Sequence, residues 1–168
     1  LNYDDCVRLA AKEADETPRG VIVQDTAWDG YEEIPAWIMQ GYGTMAMEAG
    51  EQLKAQGCER PTHIFVQAGV GSLAGAVVGY FSNLYADNLP TFVVVEAEAA
   101  ACLYKGAAAG ESGAAPFGAL AAMMTMDEYK DLRNDIGLDE NSKVLLFSTE
   151  GDTDPDRYKN IVWKGLDK

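Results

Sequence analysis

At 168 residues, with 48% hydrophobic and 24% charged residues, the chain has ordinary globular composition and enough length for one domain with a real core. A formal net charge of −14 tells against nucleic acid and anionic membrane as partners, because both repel such a surface. Three scattered cysteines, no hydrophobic leader and no long apolar span give the expectation of a reduced, cytoplasmic protein.

Asn2 stands where it caps a first helix, with Val7, Leu9 and Ala10 as apolar positions and Pro18-Arg19-Gly20 as the stop. Val21-Ile22-Val23 reads as a short buried strand that ends in Gln24-Asp25-Thr26-Ala27-Trp28. A long helix is predicted over 35–56, with Gly57 as its stop, and Gly41, Gly43 and Gly50 within it suggest close packing on an inner face. A strand over 62–67, a helix over 72–85, a strand over 91–96 and a helix over 97–104 follow. Beyond Gly110-Glu111-Ser112-Gly113-Ala114 an Ala/Met-rich helix runs through Met124, and Thr125 or Asp127 caps a further helix carrying Tyr129 and Leu132. The last core strand is expected over 144–147, closing into Ser148-Thr149-Glu150-Gly151-Asp152. The tail over 155–162 adds a short helix and an edge strand.

Short apolar strands alternating with helices predict an α/β fold, a doubly wound, mostly parallel sheet with helices on both faces. Ligands in such folds sit at the carboxyl ends of the strands, and polar or glycine-rich clusters fall there after Val23, after Val66 and after Phe147. The middle cluster, Gln67-Ala68-Gly69-Val70-Gly71-Ser72-Leu73-Ala74-Gly75, leaves backbone N–H groups bare at a helix start. That is a cradle for a phosphate-sized anion; a tight turn with no ligand is the competing reading of the residues alone. The single histidine, His63, opens a strand without Cys or His neighbours and reads as structural rather than as a metal ligand.

The words Gln24-Asp25-Thr26-Ala27-Trp28-Asp29-Gly30-Tyr31-Glu32-Glu33-Ile34-Pro35, Trp37-Ile38-Met39-Gln40-Gly41-Tyr42, Pro61-Thr62-His63, Gln67-Ala68-Gly69-Val70-Gly71, Gly110-Glu111-Ser112-Gly113-Ala114 and Ser148-Thr149-Glu150-Gly151-Asp152-Thr153-Asp154 stand in that order along the chain. They closely resemble the diaminopropionate ammonia-lyase family, within the tryptophan-synthase-like group of pyridoxal-phosphate enzymes. The resemblance implies pyridoxal 5'-phosphate as cofactor, a small amino-acid substrate, a homodimer, and conversion of 2,3-diaminopropionate to pyruvate and ammonia. It implies that Gly69, Val70, Gly71, Ser72 and Leu73 hold the cofactor phosphate and that Asp25 works in proton transfer at the substrate. It also places Ser148 beside the pyridine nitrogen and Glu111 near the ring. Read without the resemblance, Asp25 is a turn or helix-capping aspartate, and for Ser148 a ligand-facing hydroxyl and a serine closing a strand stand even. Trp28 and Tyr31 wall a pocket or pack in the core.

Two parts of the family pattern are missing. None of Lys12, Lys54, Lys105, Lys130, Lys143, Lys159, Lys164 and Lys168 stands in the family's cofactor-lysine motif. Between Tyr104 and Gly110 only 105–109 replace a sizeable family segment, so that segment was deleted or omitted from the sequence. The expectation is a single partial cofactor-binding domain over 1–168, inactive alone, because pyridoxal-phosphate chemistry needs the lysine. The rival readings are a non-catalytic phosphate-binding or assembly module and a dinucleotide-binding oxidoreductase. The latter is weaker because Ala74 stands where a third glycine belongs.

Overall fold

A computed structural model describes residues 3–96 and 110–149. At its centre lies strand β1, His63–Gln67, buried at every position. It runs parallel to β2 (Thr91–Val95) on one side and to β3 (Val144–Leu146) on the other, giving a three-stranded sheet in the order β2-β1-β3. His63 pairs with both Thr91 and Val144, so the strands start level and point their carboxyl ends to one edge.

The uninterrupted apolar run of β1 is what a strand covered on both faces needs. Ile64 and Val66 pack with Ala46 of α2 (Glu33–Ala55) and with Ala74, Val77 and Phe81 of α3 (Ser72–Leu84). By strand alternation His63, Phe65 and Gln67 face the other way. There α4 (Gly110–Thr125) lies against β1 and β2, its first half buried through Ala114, Ala115 and Pro116. A 3₁₀ turn over Asp127–Tyr129 leads into α5 (Lys130–Asp135). Arg133 Nη1 donates to the Met123 and Met124 carbonyls at 2.9 and 3.1 Å, satisfying acceptors that the end of α4 leaves open. The doubly wound parallel arrangement expected from the sequence is therefore present.

Local signals explain most boundaries. Helix α2 ends in a Schellman turn: the Cys58 N–H donates to Leu53 O at 2.9 Å and the Gly57 N–H to Lys54 O at 3.0 Å, with Gly57 at φ +75°. Gly50 is closely packed, a Cβ there meeting Leu84 and Tyr80 at 3.7 Å, but Gly41 and Gly43 face open space. Close packing thus explains one glycine of the three, and nothing in the structure explains the other two. Before β3, Asp139 accepts from the Ser142 hydroxyl and the Asn141 N–H. Those bonds, the Ser142 hydroxyl foremost, hold its carboxyl below the usual carboxylate range. Their support is present at neutral pH and fades as acid protonates the group.

Three expectations need correction. Residues 21–23 form no strand; Val21 and Val23 are 67% and 71% exposed, because no neighbouring strand among the described residues pairs with them. Helix α1 spans Tyr3–Glu16 and ends before the expected stop Pro18-Arg19-Gly20, within which Arg19 is left-handed at φ +67°. The Ala/Met-rich helix begins earlier than its composition suggests, at Gly110. Thr125 closes that helix by bonding back to Ala121 O at 2.7 Å, and the turn at Asp127 has no side-chain cap, so neither residue caps a following helix. The expected helix over 97–104, the tail elements, Asn2 and Cys102 lie outside the described residues.

His63 is structural in the strict sense that both ring nitrogens are engaged. Nε2 lies 2.9 Å from Ile136 O and Nδ1 lies 2.8 Å from Thr62 Oγ1. A carbonyl accepts only, so Nε2 carries the proton, and the Thr62 hydroxyl beside Nδ1 also faces Lys143 O at 3.1 Å and accepts from the Lys143 N–H at 2.9 Å. The ring clamps the end of α5 to the head of the sheet at 3% exposure. His63→Ala should cost about 2–3 kcal/mol of unfolding free energy, from a cavity plus an unpaired carbonyl. Urea denaturation checks this, and a loss under about 1 kcal/mol would refute the clamp.

Candidate functional site

Strand β1 ends at Gln67, and the chain turns through Ala68, Gly69 and Val70 to Gly71. The Ala68 N–H donates to Val95 O at 3.0 Å, which draws the end of β2 against the turn. Gly71 sits at φ +95° as the N-cap of α3, a conformation that side chains resist. Its carbonyl takes the first helical bond, from the Gly75 N–H at 2.8 Å. The N–H groups of the first turn have no acceptor within the helix. No side chain caps them, and no acidic residue stands in that turn to repel an anion. A Cβ built at Gly69 or Gly71 meets nothing within 4 Å, so the turn borders open space. Bare N–H groups, a helix dipole and room beside them fit a phosphate.

Two side-chain bonds bring the other strand-end clusters to this turn. Ser72, 6% exposed, donates its hydroxyl to the Asp25 carbonyl at 2.7 Å. Gln67, 8% exposed, donates from Nε2 to Thr149 Oγ1 at 2.9 Å, holding the residue after Ser148 to the end of β1. Gln67 Oε1 is buried and has no hydrogen-bond partner among the described residues. An unpaired buried acceptor is costly, and here it fits a ligand that carries an N–H or O–H as well as a phosphate.

The loop bearing Asp25 is braced within itself. The Tyr31 hydroxyl accepts from the Gln24 N–H at 3.0 Å and donates to Ile22 O at 2.9 Å. Trp28 and Tyr31 exchange backbone bonds of 3.3 and 2.8 Å around Gly30 at φ +86°, and their rings stack 4.1 Å apart. Among the described residues these two aromatics lock a turn and stand outside the core cluster.

The expected site residues are thus placed as follows. Asp25 is half-buried and joined to the head of α3 through its backbone carbonyl. Val70 is 52% exposed, whereas Leu73 packs on the core. Ser148 lies exposed just past the buried Phe147, at the same edge of the sheet. Glu111 stands in the first turn of α4, its side chain outside the described part. Sequence reasoning missed Gln67 and Thr149, whose bond spans 82 positions, and missed Tyr31 as a tie. Among the described residues no cluster of three or more His, Cys, Asp or Glu could hold a metal, and no helix is long and apolar enough to cross a membrane.

A family model described as pyridoxal-phosphate dependent enzyme matches residues 1–145. Diaminopropionate ammonia-lyase of Salmonella typhimurium is 39% identical over 232 residues, taking in 98% of this chain and 57% of the relative. Its Escherichia coli K12 counterpart is 33% identical, with the same shares covered. The crystal structure of the Escherichia coli enzyme in complex with D-serine is similar at a TM-score of 0.85 and 35% identity, covering 99% of this chain and 57% of that one. The chain therefore spans little more than half the length of these relatives. Because the Salmonella match runs over 232 residues and this chain has 168, that relative carries, inside the matched span, several tens of residues without a counterpart here.

Proposed function

The chain belongs to the pyridoxal-phosphate-dependent enzyme family, and on that premise we propose that it is the cofactor-binding part of a diaminopropionate ammonia-lyase. Its substrate is a small amino acid, a reading supported by the D-serine complex of the similar Escherichia coli enzyme. The observation that carries the proposal is the junction of Asp25, the Gly69–Gly71 turn and the loop at Ser148 through the Ser72 and Gln67 bonds. In this reading the 105–109 joint stands in place of a longer segment of the parent enzyme, and residues 1–168 form one partial domain of a homodimeric enzyme.

When bound, pyridoxal phosphate supplies an electron sink for loss of a proton and of ammonia from the substrate. The first-turn N–H groups of α3 hold its phosphate without a basic side chain, in a protein of net charge −14. The Asp25 carboxylate takes and returns a proton at the substrate. The Ser148 hydroxyl meets the ring nitrogen as a neutral hydrogen-bond partner. Lys143 lies at the amino edge of the sheet and Lys54 in the last turn of α2; neither is at the strand ends that form the site. The lysine that bonds the cofactor is, in this reading, supplied from outside this sequence.

The chain mixed with pyridoxal phosphate is expected to bind it without a borohydride-fixed linkage and to release no pyruvate from 2,3-diaminopropionate. Pyruvate from the chain alone would overturn that division of labour. Joined to the lysine-bearing portion of the Salmonella relative, it should turn over, and Asp25→Asn should then lower kcat by about 10²–10⁴-fold. An unchanged kcat removes Asp25 from proton transfer and favours the non-catalytic binding module.

A further inference from the structure

Ser72 is the first residue of α3, where its backbone N–H serves the turn that borders the open space. Its hydroxyl has one proton, and that proton is committed to the Asp25 carbonyl at 2.7 Å, across 47 positions of sequence. The side chain is 6% exposed, so this bond is shielded from competing water. On the far side, the loop over 22–31 is a single braced unit, tied by the Tyr31 hydroxyl and the Trp28–Tyr31 turn. Among the described residues, the Ser72 bond is the hydrogen bond that fastens this unit to the turn between β1 and α3. Val21, Val23 and Trp28, at 67%, 71% and 45% exposed, contribute little burial to hold it there.

We propose that Ser72 is a positioning residue for Asp25: its N–H serves a bound phosphate while its hydroxyl carries the resulting order to the loop that bears the carboxylate. The proposal rests on the reading of residues 69–73 as the phosphate turn. An anion that fixes the first turn of α3 fixes the Ser72 Cα, hence its hydroxyl, hence the Asp25 carbonyl. A loop braced by its own bonds and fastened to this turn by one hydrogen bond moves as a body, so ordering at Asp25 extends through Tyr31. The hydroxyl, already donating, is not a phosphate ligand; the backbone N–H is.

Hydrogen exchange followed by mass spectrometry reads this directly, with peptides over 22–31 and 69–75, on the native chain, Ser72→Ala and Ser72→Thr. Pyridoxal phosphate and inorganic phosphate are the probes. In the native chain either probe should slow exchange in both peptides, with superimposable titration curves. Ser72→Ala should keep pyridoxal-phosphate affinity within about threefold, because the N–H ligands remain. It should lose the ligand-induced protection of 22–31 and open that loop about 3–10-fold faster without ligand, the worth of one net hydrogen bond. Ser72→Thr, which keeps the hydroxyl, should restore the coupling. Protection of 22–31 that survives in Ser72→Ala overturns the proposal, and so does a hundredfold loss of affinity, which would make the hydroxyl a phosphate ligand. Should Ser72→Ala fail to fold, the native titration still decides. Protection at 69–75 without protection at 22–31 overturns the coupling alone; protection at neither peptide overturns the phosphate reading and the coupling with it.

Discussion

Phe81→Ala should remove about 3–5 kcal/mol of unfolding free energy, the loss that truncating a fully buried aromatic ring entails. Phe81 has no solvent exposure and sits where three elements meet. Its ring stands edge-on to Tyr80 at 5.2 Å, stacks on Tyr85 at 5.9 Å and lies 6.4 Å from Phe147 beyond β3. The same cluster holds Ala46 of α2 and Ile64 and Val66 of β1. Deleting the ring therefore opens a cavity bounded by α2, α3 and β1, with Phe147 beside it, and a rigid β-strand relaxes poorly into such a space. A domain of this size is typically stable by about 5–15 kcal/mol, so the variant loses a large share of it. Urea unfolding followed by circular dichroism measures the change. A loss below about 1 kcal/mol would mean that this cluster does not organise the fold.

The elements legible in the sequence are those whose signal is local. Ile64-Phe65-Val66 announces a strand because burial on both faces demands an unbroken apolar run, and the cover on both faces follows from it. Gly57 and Gly71 are equally readable, since positive φ is a property of one residue. Val21-Ile22-Val23 has the same composition as a core strand, but strand formation needs a neighbour to pair with. Whether one lies alongside is a fact about distant chain, not about three valine-like residues. The start of α4 is hidden for a related reason: Gly110, Gly113 and Pro116 are poor helix formers. They are accommodated because Gly113, Ala114, Ala115 and Pro116 are buried against the sheet. At the site, the glycine turn was readable and its attachments were not. The bonds from Ser72 to Asp25 and from Gln67 to Thr149 join residues 47 and 82 positions apart, and a side-chain bond between remote segments leaves no periodicity behind.

Gly71→Val should weaken pyridoxal-phosphate binding by at least about a hundredfold while costing only about 1–3 kcal/mol of stability. The asymmetry follows from where the added atoms go. At φ +95° a β-branched residue is strained, and relief toward negative φ rotates the N–H groups that open α3 away from a common focus. No protein atom lies within 4 Å of a Cβ at this position, so the methyl groups meet no core and open no cavity; they fill the space into which those N–H groups point. Gly41→Ala is the matching control. It too adds a Cβ in open space, but inside α2 at ordinary helical geometry, where alanine is favoured over glycine by about 0.5–1 kcal/mol. That variant should gain stability and bind the cofactor as the native chain does. Fluorescence titration with pyridoxal phosphate, set beside urea unfolding, separates the two effects. Native affinity in Gly71→Val would show that the phosphate is not held at the head of α3, and the assignment of Asp25 and Ser148 around it would fall together with that turn.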